Sequence, residues 1–165
     1  MTHWSGIGHK FGLTKPKAAM EFSVEGQTSG RLNRDGIQIH TPEEFAGMRA
    51  SGQLAAQILD MIADHVVPGV TTKKLDTLCH DFMVANNAVP ATLGYKGYPK
   101  SSCISINHVV CHGIPSDKIL KDGDVLNIDV TCILDGWYGD TSRMYVAGSP
   151  SRKAERLIDV THDAL

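Results

Sequence analysis

Asn127-Ile128-Asp129-Val130-Thr131 sets a carboxylate in the middle of an otherwise apolar, β-type run. Alternation puts Leu126, Ile128 and Val130 on one face of that strand and Asn127, Asp129 and Thr131 on the other. Asp135-Gly136 has the composition of a two-residue hairpin turn, which predicts Leu134 opposite Trp137, Thr131 opposite Asp140 and Asp129 opposite Ser142. Asp140 then lies diagonally from Asp129 on the same face. Such neighbours sit roughly 7–8 Å apart at the backbone, so both carboxylates can converge on one or two cations held about 3.5–4 Å apart. The plain alternative is a solvated face, which an antiparallel sheet permits. Against it, two like charges held together on an ordered hairpin repel unless a cation or a proton offsets them. An all-oxygen pair suits ions such as Mn, Fe or Co better than a thiolate-type zinc site.

The elements that must position this pair form an α+β layout. Thr41-Pro42-Glu43-Glu44 reads as a helix start, with Thr41 as cap, Pro42 in the first turn and Glu44 closing a capping box. Phe45, Met48, Gly52, Ala55, Leu59, Ile62 and Val66 repeat at helical steps as its buried stripe, up to Pro68-Gly69. A second helix is expected from Thr72, burying Leu75, Leu78, Cys79, Phe82 and Met83 and running out near Asn86-Asn87. Strand-like runs follow at 103–107, 125–133 and 137–146, so the two helices should cover a sheet. From Arg152 a helical period returns through Ala154, Leu157, Ile158 and Ala164, and the chain is expected to be cut off within that helix. Residues 1–40, glycine-rich and without an apolar period, read as a flexible extension carrying five basic residues against three acidic ones.

Composition sets the outer limits. The 165 residues are 42% hydrophobic and 21% charged, enough for one buried domain. A formal charge of −2 lacks the footprint of a general nucleic-acid binder, so no specific nucleic-acid partner is expected. No apolar run approaches the roughly 20 residues of a transmembrane helix, and Met1-Thr2-His3-Trp4-Ser5-Gly6 lacks the order of a secretory signal, so a soluble, cytoplasmic protein is expected. Cys79, Cys103, Cys111 and Cys132 form no C-x-x-C pair and read as reduced thiols.

Longer strings extend the reading. Gly94-Tyr95-Lys96-Gly97-Tyr98-Pro99-Lys100-Ser101-Ser102-Cys103-Ile104-Ser105-Ile106-Asn107, then Val110-Cys111-His112-Gly113-Ile114-Pro115, then Asn127 to Thr131 and Gly139-Asp140-Thr141-Ser142 resemble the bacterial type I methionine aminopeptidases, in order, from about Thr41 to Leu165. The resemblance implies the pita-bread fold, a pseudo-twofold arrangement of which this chain would supply the first half and the start of the second repeat. It implies that residues 41–165 are the N-terminal half of the catalytic domain, with the C-terminal half absent. Asp129 and Asp140 match two of the family's five metal ligands, Asp140 as the bridge. His112 matches the histidine that hydrogen-bonds substrate near the scissile amide. Tyr95, Tyr98 and Cys103 match walls of the methionine side-chain pocket, a suitable lining for a thioether, and Thr92 stands where bacterial members often carry cysteine. Thr131 could orient the attacking water from behind the metal ligands.

The implied cofactors are two divalent ions, Co, Mn, Fe, Zn or Ni. The implied reaction is metal-assisted hydrolytic removal of the N-terminal methionine from nascent polypeptides whose second residue is small. The implied protein is a cytoplasmic monomer with no membrane partner, and ribosome association is left open. One histidine and two glutamates of the family pattern have no match here, so the 165-residue chain on its own is expected to be inactive. Two rivals share the fold: an Xaa-Pro aminopeptidase, selected by proline in second position, and a catalytically dead binding module, which would have no need of a convergent carboxylate pair.

Overall fold

The computed structural model describes residues 31–165. Two long strands, β5 (Asp124–Leu134) and β6 (Trp137–Ala147), form an antiparallel hairpin that organises the rest. Its turn is the expected one: Asp135 and Gly136 both take positive φ, 49° and 83°, as a twist-compatible two-residue turn requires. The pairing is also the expected one, with Leu134 opposite Trp137, Thr131 opposite Asp140 and Asp129 opposite Ser142. β6 runs along the whole of one edge of β5. The other edge is shared end to end by two short antiparallel strands, β3 (Val89–Pro90) against Cys132–Ile133 and β4 (Cys103–Ile106) against Leu126–Asp129.

The helices α1 (Pro42–Ala63) and α2 (Thr72–Ala85) cover one face of this sheet. The capping box at α1 forms as read: Thr41 Oγ1 accepts from Glu44 N–H, and the Glu44 carboxylate accepts from Thr41 N–H at 2.7 Å. Leu126, Ile128, Val130 and Cys132 point from β5 into the core and meet Leu54, Ile58, Leu59 and Ile62 of α1 and Leu75, Cys79 and Met83 of α2. α1 lies very close to β6 where they cross. Ser51 Oγ donates to Trp137 O at 2.8 Å, and a Cβ on Gly139 would strike Ser51 O. Further along β6, Tyr145 Oη donates to Leu59 O at 2.6 Å.

Three expectations need correction. α1 ends at Ala63 instead of running to Pro68, although Val66 is still buried in the turn that follows. Phe45, Met48 and Gly52 are exposed, and the inward face is made by Ser51, Leu54, Ala55, Ile58, Leu59 and Ile62. The helical period was right, but the first turns of α1 reach past the sheet, where only Gly47 meets the Trp137 indole. Folded structure also begins before Thr41: β1 (Arg31–Leu32) and β2 (Gln38–Ile39) form a small hairpin whose turn is tied by Asn33 Oδ1 accepting from Asp35 N–H and Ile37 N–H. The rest of the expected extension, residues 1–30, lies outside the described residues. A last helix, α3 (Arg152–Asp163), is capped by Ser151 and buries none of its side chains. Among the described residues no helix is long and apolar enough to cross a membrane.

Candidate active site

The sheet face turned away from the helices carries the polar half of the β5 alternation, and the register decides what meets there. Asp129 sits between Cys103 on β4 and Ser142 on β6, while Thr131 sits opposite Asp140. The two carboxylates converge diagonally across the β5–β6 pair, as the turn and the alternation require. Thr131 Oγ1 donates to Asp140 Oδ1 at 3.2 Å.

Above this face the segment 91–115 arches into a second wall, and a cavity of about 870 Å³ opens between the two. Thr92, Tyr95, Tyr98, Cys103, His112, Asp129, Thr131 and Asp140 all line it, so every site residue named from the sequence is brought to one place. Tyr138 of β6 and Ile114 beside His112 add apolar lining; neither carries a signal in the sequence that would single it out.

The arch has little regular structure, and its shape comes from glycines and from polar anchors. Gly94 and Gly97 take positive φ around a single 3₁₀ turn at Tyr95–Gly97. Thr92 Oγ1 closes the arch by donating to Lys100 O at 3.0 Å. Tyr98 Oη lies 3.1 Å from both Ser102 O and Gly113 O and donates its hydrogen between them. Behind the arch, Asp76 of α2 is buried and accepts from Ser101 N–H, Ser102 N–H and Ser102 Oγ at 2.9–3.0 Å. Asp76 was not foreseen. A lone carboxylate beside the apolar stripe of a helix has no periodic signature, and only its burial with three donors reveals its use.

The cavity holds an acidic pair that shares its lining with Lys96 and His112. Burial, and next the charge of Asp140, hold the Asp129 carboxyl above the ordinary carboxylate range, with His112 acting in the opposite direction. Burial likewise raises the neighbouring Cys103 thiol, with Asp129 and Asp140 contributing in the same direction. Among the described residues, no Lys or Arg forms an ion pair with Asp129 or Asp140. A pair of carboxylates with no protein cation between them, all-oxygen in its donors, fits a hard or intermediate divalent ion. It supplies only part of a coordination shell: no group of three or more His, Cys, Asp or Glu side chains is arranged to hold a metal among the described residues.

With this geometry in place, comparison with known proteins gives a consistent result. Residues 46–165 match the model of metallopeptidase family M24. A curated methionine aminopeptidase of Rickettsia prowazekii is 64% identical over 129 residues, which cover 78% of this chain and 50% of that protein. The crystal structure of methionine aminopeptidase from Rickettsia prowazekii superposes with a TM-score of 0.77 at 65% identity, covering 78% of this chain and 52% of that one. A prolidase from Pyrococcus furiosus shares the fold alone, at 22% identity and a TM-score of 0.64 over 76% of this chain and 36% of that one. The chain spans about half the length of the curated relatives it matches.

Proposed function

This chain belongs to metallopeptidase family M24, and on that premise we propose that it carries the carboxylate pair and the methionine pocket of an enzyme that removes N-terminal methionine. Its fold is the α+β pita-bread arrangement of the aminopeptidases and prolidases. The observation that carries the reading is the convergence of Asp129, Asp140 and His112 with an aromatic and sulfur-lined pocket on one cavity. The high identity to methionine aminopeptidases, against fold-level likeness to prolidase, favours methionine over an Xaa-Pro substrate.

In this reading Asp129 and Asp140 would be the residues that hold divalent metal, two ions drawn from Co, Mn, Fe, Zn or Ni. Metal held there would supply Lewis-acid stabilisation of the charge that develops on the scissile carbonyl oxygen. The chain's own residues do the rest of the positioning. Thr131 fixes the orientation of the Asp140 carboxylate through its 3.2 Å hydrogen bond. Thr92, Tyr95, Tyr98 and Cys103 enclose the methionine side chain, whose polarisable thioether suits an aromatic and sulfur wall. His112 hydrogen-bonds the amide beyond that methionine and steadies it as it departs. Two carboxylates fall short of the roughly three protein ligands a catalytic metal needs, so residues 31–165 alone bind without hydrolysing. The substrates are nascent polypeptides with a small second residue, met in the cytoplasm by a monomer, with the ribosome as a partner for the basic residues of the first forty.

The test is an assay of the product of the whole reading frame that encodes this chain, on Met-Ala-Ser and Ala-Pro-Ser peptides with Mn or Co. Methionine release from the first alone is the expected result. Preference for the proline peptide would install the Xaa-Pro reading, and peptide binding without hydrolysis would make the protein a binding module. Metal-dependent methionine release by the 165-residue chain itself would overturn the claim that it needs further ligands.

A further inference from the structure

His112 stands on backbone that a non-glycine residue avoids, with φ at +52°, so something around it must hold that conformation. The hold is on its neighbour. Gly113 is pressed so closely onto β4 that a Cβ would strike Ile104 O. Its N–H donates to Ser105 Oγ at 3.1 Å, and its carbonyl accepts from Ile104 N–H at 2.8 Å and from Tyr98 Oη at 3.1 Å. The same phenol reaches Ser102 O, and Ser102 is fixed in turn to the buried Asp76 carboxylate through both its N–H and its hydroxyl. A continuous chain of contacts therefore runs from α2 through Asp76, Ser102 and Tyr98 to the residue beside His112.

A pocket wall for methionine needs only the ring of Tyr98; its hydroxyl is spent on backbone carbonyls, one of them next to His112. We infer that Tyr98 is a positioning residue for His112, a strut whose foot is Asp76. The inference rests on the reading above, in which His112 meets the amide beyond the methionine side chain. Losing the hydroxyl then loosens the histidine more than it alters the pocket for the side chain.

Two ligands separate these roles in the metal-free product of the whole reading frame that encodes this chain: methionine, which fills the pocket, and Met-Ala-amide, which adds the amide that His112 would meet. In Tyr98→Phe we expect binding of Met-Ala-amide to weaken about threefold to tenfold more than that of methionine, the range one hydrogen bond is worth. Amide exchange at Gly113 and Ile104 should quicken, while that of Thr131 and Ser142 in the hairpin stays as it was. Asp76→Asn, which keeps the side-chain shape, should shift the same amides in the same direction. Unchanged exchange at Gly113 in Tyr98→Phe, or equal weakening of both ligands, overturns the strut. A wild-type protein that binds neither ligand refutes the peptide-site reading, and the positioning role with it. A wild type that binds both, paired with a Tyr98→Phe variant that exchanges normally, refutes the strut alone.

Discussion

The two walls of the cavity are built on different principles. The hairpin wall, β5 and β6, carries Asp129, Thr131 and Asp140, and every position on it follows from a two-residue turn and a period of two. The arched wall, 91–115, carries Tyr95, Tyr98, Cys103 and His112, yet only four of its residues, Cys103–Ile106, are strand, where it joins the edge of β5. Its course is set by the side-chain bonds of Thr92 and Tyr98 within it and by bonds from outside it, from Asp76 of α2 and from Thr72, whose hydroxyl bridges Ser116 just beyond its end. The metal-binding half of the proposed site is thus locally encoded, and the substrate-recognising half depends on contacts between residues far apart in sequence. Damage to the first should appear as lost stability, and damage to the second as lost geometry.

The largest expected effect tests the first half of that contrast. Gly139→Ala places a methyl group against the Ser51 backbone where α1 crosses β6. We expect a loss of about 3 kcal/mol in calorimetric or urea unfolding, at the upper end for overpacking a tight site. A loss near zero would mean that α1 does not brace the hairpin. Asp76→Ala leaves the Ser101 and Ser102 N–H groups buried without an acceptor and should cost about 2 kcal/mol. Its amide chemical-shift changes should concentrate in 98–115 and spare 124–147; changes spread evenly over both walls would erase the distinction. Gly136→Ala, at φ +83°, should cost about 1 kcal/mol with the β5–β6 register intact, read from cross-strand NOEs between Asp129 and Ser142.

The smallest effect is a pH dependence. The Asp124 carboxylate accepts from Asn107 Nδ2 and Lys121 N–H, each at 2.9 Å, and these bonds, that from Asn107 foremost, hold it below the ordinary carboxylate range. A group whose folded pKa is depressed stabilises the fold above its unfolded value, about 3.9 for aspartate, and loses that contribution as pH falls through the lower, folded value. Asp124→Asn should therefore lower stability slightly at neutral pH and converge with the wild type as pH falls below the folded value, which flattens the acid limb. Because the half-buried side chain gains these bonds from neutral donors and stays partly solvated, the effect is small.

The same contrast explains what the sequence reveals. Asp135-Gly136 and the alternation through Val130 are local signals, so the register of the hairpin and the meeting of Asp129 with Asp140 could be worked out from strand geometry. No such rule reaches Tyr98, Cys103 or His112; these were identified only because their strings resemble a family, and it is the fold that brings them over the carboxylates. Asp76 escaped both routes, since a single buried polar residue carries neither period nor motif. Phe45 and Met48 failed in the opposite sense. Their spacing is helical, but periodicity does not say which turns of a helix lie over a sheet, and these turns reach past it. The β1–β2 hairpin was missed because two-residue strands around Asn33 are too short to show any alternation.

The central claim is that Asp129 and Asp140 together form a divalent-cation site on the hairpin wall, and Mn(II) binding tests it most directly. Titration followed by the loss of the free-ion EPR signal, on the product of the whole reading frame that encodes this chain and on its Asp140→Asn variant, is the measurement. Saturable binding in the wild type that Asp140→Asn abolishes, with the fold of the variant intact by circular dichroism, is the predicted result. Equal Mn(II) binding by the two proteins, or none by the wild type, would contradict it.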